Sequence, residues 1–249
     1  MKIIVAIKRV VDPYVKIRIK PDESGVETDN VKKTINPFDE IAIEEAVRIK
    51  EKYDNVEIIL VSIGDDKAAE SLRAGLALGA DRAIHIKKSD ESSSLCIAKI
   101  LSKICEKEAP NLILLGKQSI DNDNNQVGQM LSVLLDYPCA TFASKITLSE
   151  NKVQVIREID GGLETQEITM PGIVTTDLRL NEPRYASLPN IMQAKRKPLA
   201  IIAFEALDLS FVSTQKILSV KKPEQRSEGK ILDSVSALVA CLKDEAKVI

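Results

Sequence analysis

Residues Leu112 to Met130 read L-I-L-L-G-K-Q-S-I-D-N-D-N-N-Q-V-G-Q-M. Leu112 to Leu115 has the length and composition of a buried strand, and Val127 to Leu135 carries apolar residues at helical spacing until Asp136-Tyr137-Pro138 stops it. A strand that empties through a polar loop into a helix start gathers several unpaired backbone N–H groups at one point, a ready anion site. The loop holds neither G-x-G-x-x-G nor a P-loop. It is dense instead in amides (Gln118, Asn122, Asn124, Asn125, Gln126 and Gln129), whose donors and acceptors suit a ribose and a phosphate. Asp121 and Asp123 oppose this, because each would repel a phosphate by about what the helix dipole gives a carboxylate, ~0.3–1 kcal/mol. An anion here is therefore held by backbone N–H and amides, with no catalytic acid implied. The same spacing also fits a solvated, amide-rich connection.

Outward from this loop, Ile3 to Ile7 is a continuous apolar run that reads as a central parallel strand. Asn36-Pro37-Phe38-Asp39 opens a helix, with Asn36 as N-cap and Pro37 in the first turn. Val56 to Ile63 and Arg82 to Ile86 are further strands; Asp65 to Leu78 and Leu95 to Glu108 are further helices. This alternation predicts an α/β fold with a doubly wound, mostly parallel sheet. Ligands in such sheets bind beyond the carboxyl ends of the strands. Ala6, Asn36 to Asp39, Ile63-Gly64 and the loop from Gly116 then converge on one crevice. The polar stretch Lys8 to Lys33, broken by Pro13, Pro21 and Gly25, reads as lining a site or a partner surface.

From Phe142 the pattern alternates like antiparallel strands, with turns at Glu150-Asn151 and Gly161-Gly162. Asp177 to Lys197 is charged and Pro-rich yet carries Leu180, Tyr185, Leu188, Ile191 and Met192. It is either a loop and short helix packed on its own domain or an exposed docking loop with apolar anchors. The chain thus divides into an α/β nucleotide-binding domain over 1–198, with an antiparallel extension at about 142–170, and an arm over 199–249. The arm ends in an amphipathic helix, Ile231 to Leu242.

A net charge of -2 and the absence of Trp argue against a nucleic-acid partner. Four scattered cysteines lack metal or redox spacing, which fits a reducing, cytoplasmic compartment. No apolar run reaches membrane-spanning length. His85, alone within a strand, reads as structural. No Ser-His-Asp set, Cys-His pair or acid–base carboxylate cluster points to an enzyme.

Several motifs carry a resemblance that runs essentially end to end: V-A-I-K-R-V-V-D (5–12), V-K-I-R-I-K-P-D (15–22), I-N-P-F-D-E (35–40), L-G-K-Q-S-I-D (115–121), R-E-I-D-G-G-L-E-T (157–165) and D-L-R-L-N-E-P-R-Y-A-S-L-P-N-I-M (177–192). On these the chain resembles the beta subunits of electron-transfer flavoproteins of the ordinary, AMP-containing type. The resemblance implies a non-catalytic half of a heterodimer whose alpha subunit holds most of an FAD. Such complexes carry single electrons from acyl-CoA dehydrogenases and related flavoenzymes to a membrane quinone oxidoreductase. It further implies AMP contacts from Ala6, Asn36, Pro37, Phe38, Asp39 and Ile63, and from Gly116, Lys117, Gln118, Ser119, Ile120, Asp121, Asn122, Asp123, Asn124, Asn125, Gln126 and Val127. Partner recognition would fall to Arg184, Tyr185, Leu188, Pro189, Ile191 and Met192, with Leu188 as the anchor. Glu158 would help orient the mobile flavin domain, and the arm would pack on the alpha subunit. Phe38 and Tyr14 would neighbour the flavin, although Pro13 fills the slot where relatives carry a Tyr.

A bifurcating relative, with a second FAD in place of AMP, tends to read I-N-P-D-D and A-I-D-G-D-T-A-Q-V-G-P at the two nucleotide segments. Ile35-Asn-Pro-Phe-Asp39 and Ser119 to Gln129 favour AMP. An ATP-using enzyme of the same fold would need an S-G-G-x-D-S loop after the first strand, and Lys8 to Pro13 does not supply one.

Overall fold

Ile3, Ile4 and Val5 have no solvent contact, because β1 (Lys2–Ile7) is covered on both faces. The computed structural model describes residues 1–89, 92–211, 216–226 and 228–249. In chain order, β1 is followed by β2 (Arg9–Val11), β3 (Lys33–Ile35), α1 (Pro37–Lys52), β4 (Glu57–Gly64), α2 (Ala68–Leu78) and β5 (Arg82–Lys87). Then come α3 (Ser94–Glu108), β6 (Leu112–Gly116), α4 (Val127–Leu135), β7 (Cys139–Ser149), β8 (Lys152–Ile159) and β9 (Gly162–Thr169). β10 (Gly172–Thr176), α5 (Leu188–Ala194), β11 (Leu199–Ala203) and α6 (Val235–Ala240) complete the series.

Among the described residues one sheet runs in the order β11-β5-β4-β1-β6-β10-β7-β8-β9. Every neighbouring pair from β11 to β7 is parallel, and only β7/β8 and β8/β9 are antiparallel. The expected α/β class with an antiparallel extension is what forms. Alternate residues of the strands feed two cores. Ile3, Val5 and Leu60 pack with Ala46 of α1 and Leu72 and Leu76 of α2. Ile4, Ile59 and Val61 pack with Ile100 and Ile104 of α3 and Leu131 of α4. A strand covered on both sides needs an unbroken apolar run, as β1 and β6 have.

The expected division at residue 198 moves. Leu199–Ala203 pairs in parallel with Ala83–Lys87, so β11 is the sheet edge and not the start of an arm. One compact unit comprises Met1–Ile17 with Glu27–Lys216, and a second comprises Arg18–Val26 with Ile217–Ile249. The Lys8 to Lys33 stretch is therefore divided, with its centre held by a bridge between Ile19 and Val26 and by Val220 N–H donating to Glu23 O at 2.9 Å. Of the polar tail, residues 212–215 and 227 lie outside the described residues. The expected terminal helix is shorter at its start: Ser234 caps α6, which runs on through a π turn at Cys241–Glu245. Among the described residues no helix is long and apolar enough to cross a membrane.

Candidate functional site

Strand order reverses at β1, which has β4 on one side and β6 on the other. The crevice beyond Ile7 and Gly116 is therefore the topological switch point, where doubly wound sheets take ligands. Ala6, Ile63 and Val127 line the core on the α3/α4 face at that end.

Asp39 builds the crevice floor. Its Oδ2 accepts from Lys8 N–H at 2.7 Å and its Oδ1 from Gly116 N–H at 3.1 Å, so one buried carboxylate ties the ends of β1 and β6. Burial pushes this acid up to about 7, against the opposing pull of hydrogen bonds from Asn36, Lys8 and Gly116. Glycine at 116 is a steric requirement, since a Cβ would lie 2.4 Å from Asp39 Oδ1 and 2.6 Å from Phe38 Cβ. Asn36 makes no N-cap bond, contrary to expectation. Its amide instead clamps the loop, donating to Gln118 O at 2.9 Å and accepting from Ile120 N–H at 3.2 Å.

The loop is bonded internally. Gln118 donates to Asp123 at 2.8 Å, and Ser119 Oγ to Asn122 Oδ1 at 2.7 Å. Asp123 and Asn125 take the left-handed conformation, φ 47° and 49°, which short polar side chains tolerate. Asp121 is neutralised by Lys8 Nζ at 2.7 Å, a partner the sequence reading did not connect with the loop. Lys117 Nζ bonds Asp177 at 2.8 Å and lies over the rings of Phe38 and Phe142, at 5.3 and 5.5 Å. Phe38 is buried, with 7% of its surface exposed. Tyr14 is 95% exposed, in a turn held by its N–H on Asp12.

At the start of α4, Gln126 provides no side-chain cap and the first turn contains no acid. Gly128 lets this turn lie against β10, where a Cβ would come within 2.6 Å of Thr175 Cγ2. Gln129 Oε1 is buried there without a partner, while its Nε2 donates to Asn125. Uncapped N–H groups beside a glycine cradle are donors of the kind an anion needs, while the orphan Gln129 oxygen, an acceptor, is open only to a group that donates, such as a hydroxyl.

The segment from Asp177 to Lys197 is built differently. Arg184 is turned inward: its Nε bonds Glu44 at 2.7 Å and its Nη2 bonds Glu51 at 3.0 Å. Burial raises the Glu44 carboxyl, but the hydrogen bonds from Arg184 and Arg48 together outweigh it and leave the group below its ordinary value. Ser187 caps α5, with Pro189 in its first turn. Leu188, Met192 and Tyr185 stand 79%, 62% and 99% exposed, and Ile191 is half-covered. Leu180 and Ala186 pack inward and Ala194 is buried, so the segment rests on its own domain on both sides of the exposed Leu188 and Met192. Glu158 on β8 is exposed and ion-paired with Arg179. His85 is buried with Nε2 3.1 Å from Gly64 O, a structural placement.

The Electron transfer flavoprotein domain family matches residues 24–207. The chain is 53% identical over 251 residues to the mitochondrial electron transfer flavoprotein subunit beta of Arabidopsis thaliana, covering all of both chains. It is 52% identical to the subunit beta of Dictyostelium discoideum over 248 residues, and 49% identical to that of Homo sapiens over 252, in each case across 100% of this chain and 99% of the relative. With a switch-point crevice, an uncapped helix start and an exposed apolar segment in place, and with half the residues shared from end to end, the chain belongs to the electron transfer flavoprotein beta-subunit family.

Proposed function

We propose that this chain is the structural half of a heterodimer: it binds AMP at the switch-point crevice and helps close the FAD site of an alpha subunit. The complex would carry single electrons from acyl-CoA dehydrogenases and related flavoenzymes to a membrane quinone oxidoreductase, in a cytoplasmic setting compatible with four free cysteines. The observation that carries the reading is the crevice's donor set, whose polar atoms are backbone N–H, amides and neutralised acids without an acid–base pair. AMP itself contributes no redox chemistry; the one-electron step belongs to the FAD of the partner subunit. The backbone N–H groups at the start of α4 would hold the phosphate, and Asn36 and Asp39 would keep the loop and strand ends in place around it. Leu188 would seat in the electron donor, with Ile191 and Met192 beside it. Glu158 would steady the flavin domain.

The test is to purify the chain with its alpha subunit, denature the complex and quantify the released nucleotides. One FAD and one AMP per heterodimer is the expected result. Two FAD and no AMP would make the crevice a redox centre of a bifurcating complex and overturn the reading.

A further inference from the structure

α5 lies against α2 but buries few of its side chains. It is seven residues long, too short to be stable alone, and Ala194 is its single buried residue. Its inner side borders a largely apolar cleft of about 560 Å³ shared with α2, lined in part by Ala74, Ala77, Leu78 and Ile191. What joins the two helices across this space is polar. Arg73 of α2 donates through Nη1 to Ala194 O at 2.7 Å and to Lys197 O at 2.6 Å, at the carboxyl end of α5. Lys197 returns the contact, its Nζ donating to Leu76 O at 2.9 Å and Ala80 O at 2.6 Å, at the carboxyl end of α2. Each helix end, where carbonyls lack intrahelical partners and the dipole is negative, thus receives a cation supplied from beside the other helix. Burial draws the Lys197 ammonium below the usual lysine range, as expected of a charge whose partners are carbonyls.

We infer that Arg73 is a positioning residue for the docking helix: with Lys197 it locks α5 to α2, so that Leu188, Ile191 and Met192 are ordered before a partner arrives. The inference rests on the docking role proposed above for this segment. An anchor already fixed loses less freedom on binding than one on a fraying turn. Arg73 need not touch the partner to act this way.

The test uses the complete two-subunit complex with Arg73→Gln, Arg73→Lys, Lys197→Gln and Leu188→Ala. It compares reduction by an acyl-CoA dehydrogenase with hydrogen exchange of the α5 amides before any partner is added. Arg73→Gln and Lys197→Gln should speed α5 exchange by roughly tenfold. Both should raise the KM for the dehydrogenase roughly two- to tenfold, with the limiting rate unchanged. Arg73→Lys should recover part of both effects, because an ammonium can still reach one carbonyl. Unchanged exchange in both Gln variants would overturn the inference. Faster exchange with an unchanged KM, while Leu188→Ala raises it, would also overturn the inference and leave the docking role standing. If Leu188→Ala itself left the KM unchanged, the docking role would fail and the inference with it.

Discussion

The crevice loop and the segment from Asp177 to Lys197, with its short helix α5, both lie outside the sheet, yet they are held by opposite means. In the crevice the contacts are short and central: a buried carboxylate joins two strand ends, an amide clamps the loop, and Gly116 admits backbone where no side chain fits. In the segment from Asp177 to Lys197 they lie on either side of Leu188 and Met192. Arg184 fastens one flank to α1 and Arg73 fastens the other to α2, leaving the apolar middle exposed. The difference follows from the size of what each would bind. A small anion needs converging N–H groups, and those require close backbone approach. A large partner needs a few apolar anchors on a rigid footing, and those must stay uncovered until it arrives.

If the contrast is real, substitutions in the crevice damage the fold and substitutions in the middle of the docking segment do not. The largest effect is expected of Gly116→Val. Its Cβ would sit 2.9 Å from the Phe38 carbonyl carbon as well as against Asp39, and backbone cannot yield as a flexible side chain can. Overpacking of ~1–3 kcal/mol, with the Asp39 tie broken in addition, should lower Tm by several degrees and strip the bound nucleotide. Both are read by thermal unfolding and nucleotide release, and a variant that melted like the parent with its nucleotide in place would refute the steric argument.

Asp39→Asn should come next. Asn offers one acceptor to two N–H donors, so one is left unpaired at a cost of ~1–3 kcal/mol. The parent should also show a pH signature that the variant lacks. Asp39 goes from 3.8 to about 7 on folding, so between these values the folded chain holds a proton that the unfolded chain has released. This group's contribution to stability is thus full below pH ~3.8 and is lost as pH rises toward ~7. Urea unfolding of parent and variant from pH 4 to 7 would show their difference narrowing as pH rises; a constant difference would mean that Asp39 does not titrate there.

Leu188→Ala is the smallest change for the fold. With the side chain 79% exposed, stability should stay within ~0.5 kcal/mol. Docking should nonetheless weaken roughly tenfold or more, since burying a Leu is worth ~1.5–3 kcal/mol. Electron uptake from a dehydrogenase at subsaturating concentration would report it, and an unchanged rate would remove Leu188 as the anchor.

By itself the sequence determined the alternation of strands and helices, the parallel sheet, the antiparallel extension and the loop at the end of β6. These are legible because apolar period, turn residues and run length act over a few neighbouring positions. It also singled out Leu188 and Met192 but left two placements open for them, packed on the domain or exposed, and the fold decides for exposure. Tertiary structure alone decided the rest. That Asp39 ties two strand ends depends on Gly116, 77 residues away, and that Arg184 faces inward depends on Glu44, 140 residues away. Asn36 has the chemistry of an N-cap, but a loop from elsewhere in the chain competes for its amide and wins. Leu199–Ala203 became a sheet edge because β5 had an open side, a fact that no local pattern carries. Side-chain partners chosen across such distances depend on which elements the packed sheet brings together, and that is set only when the whole core forms.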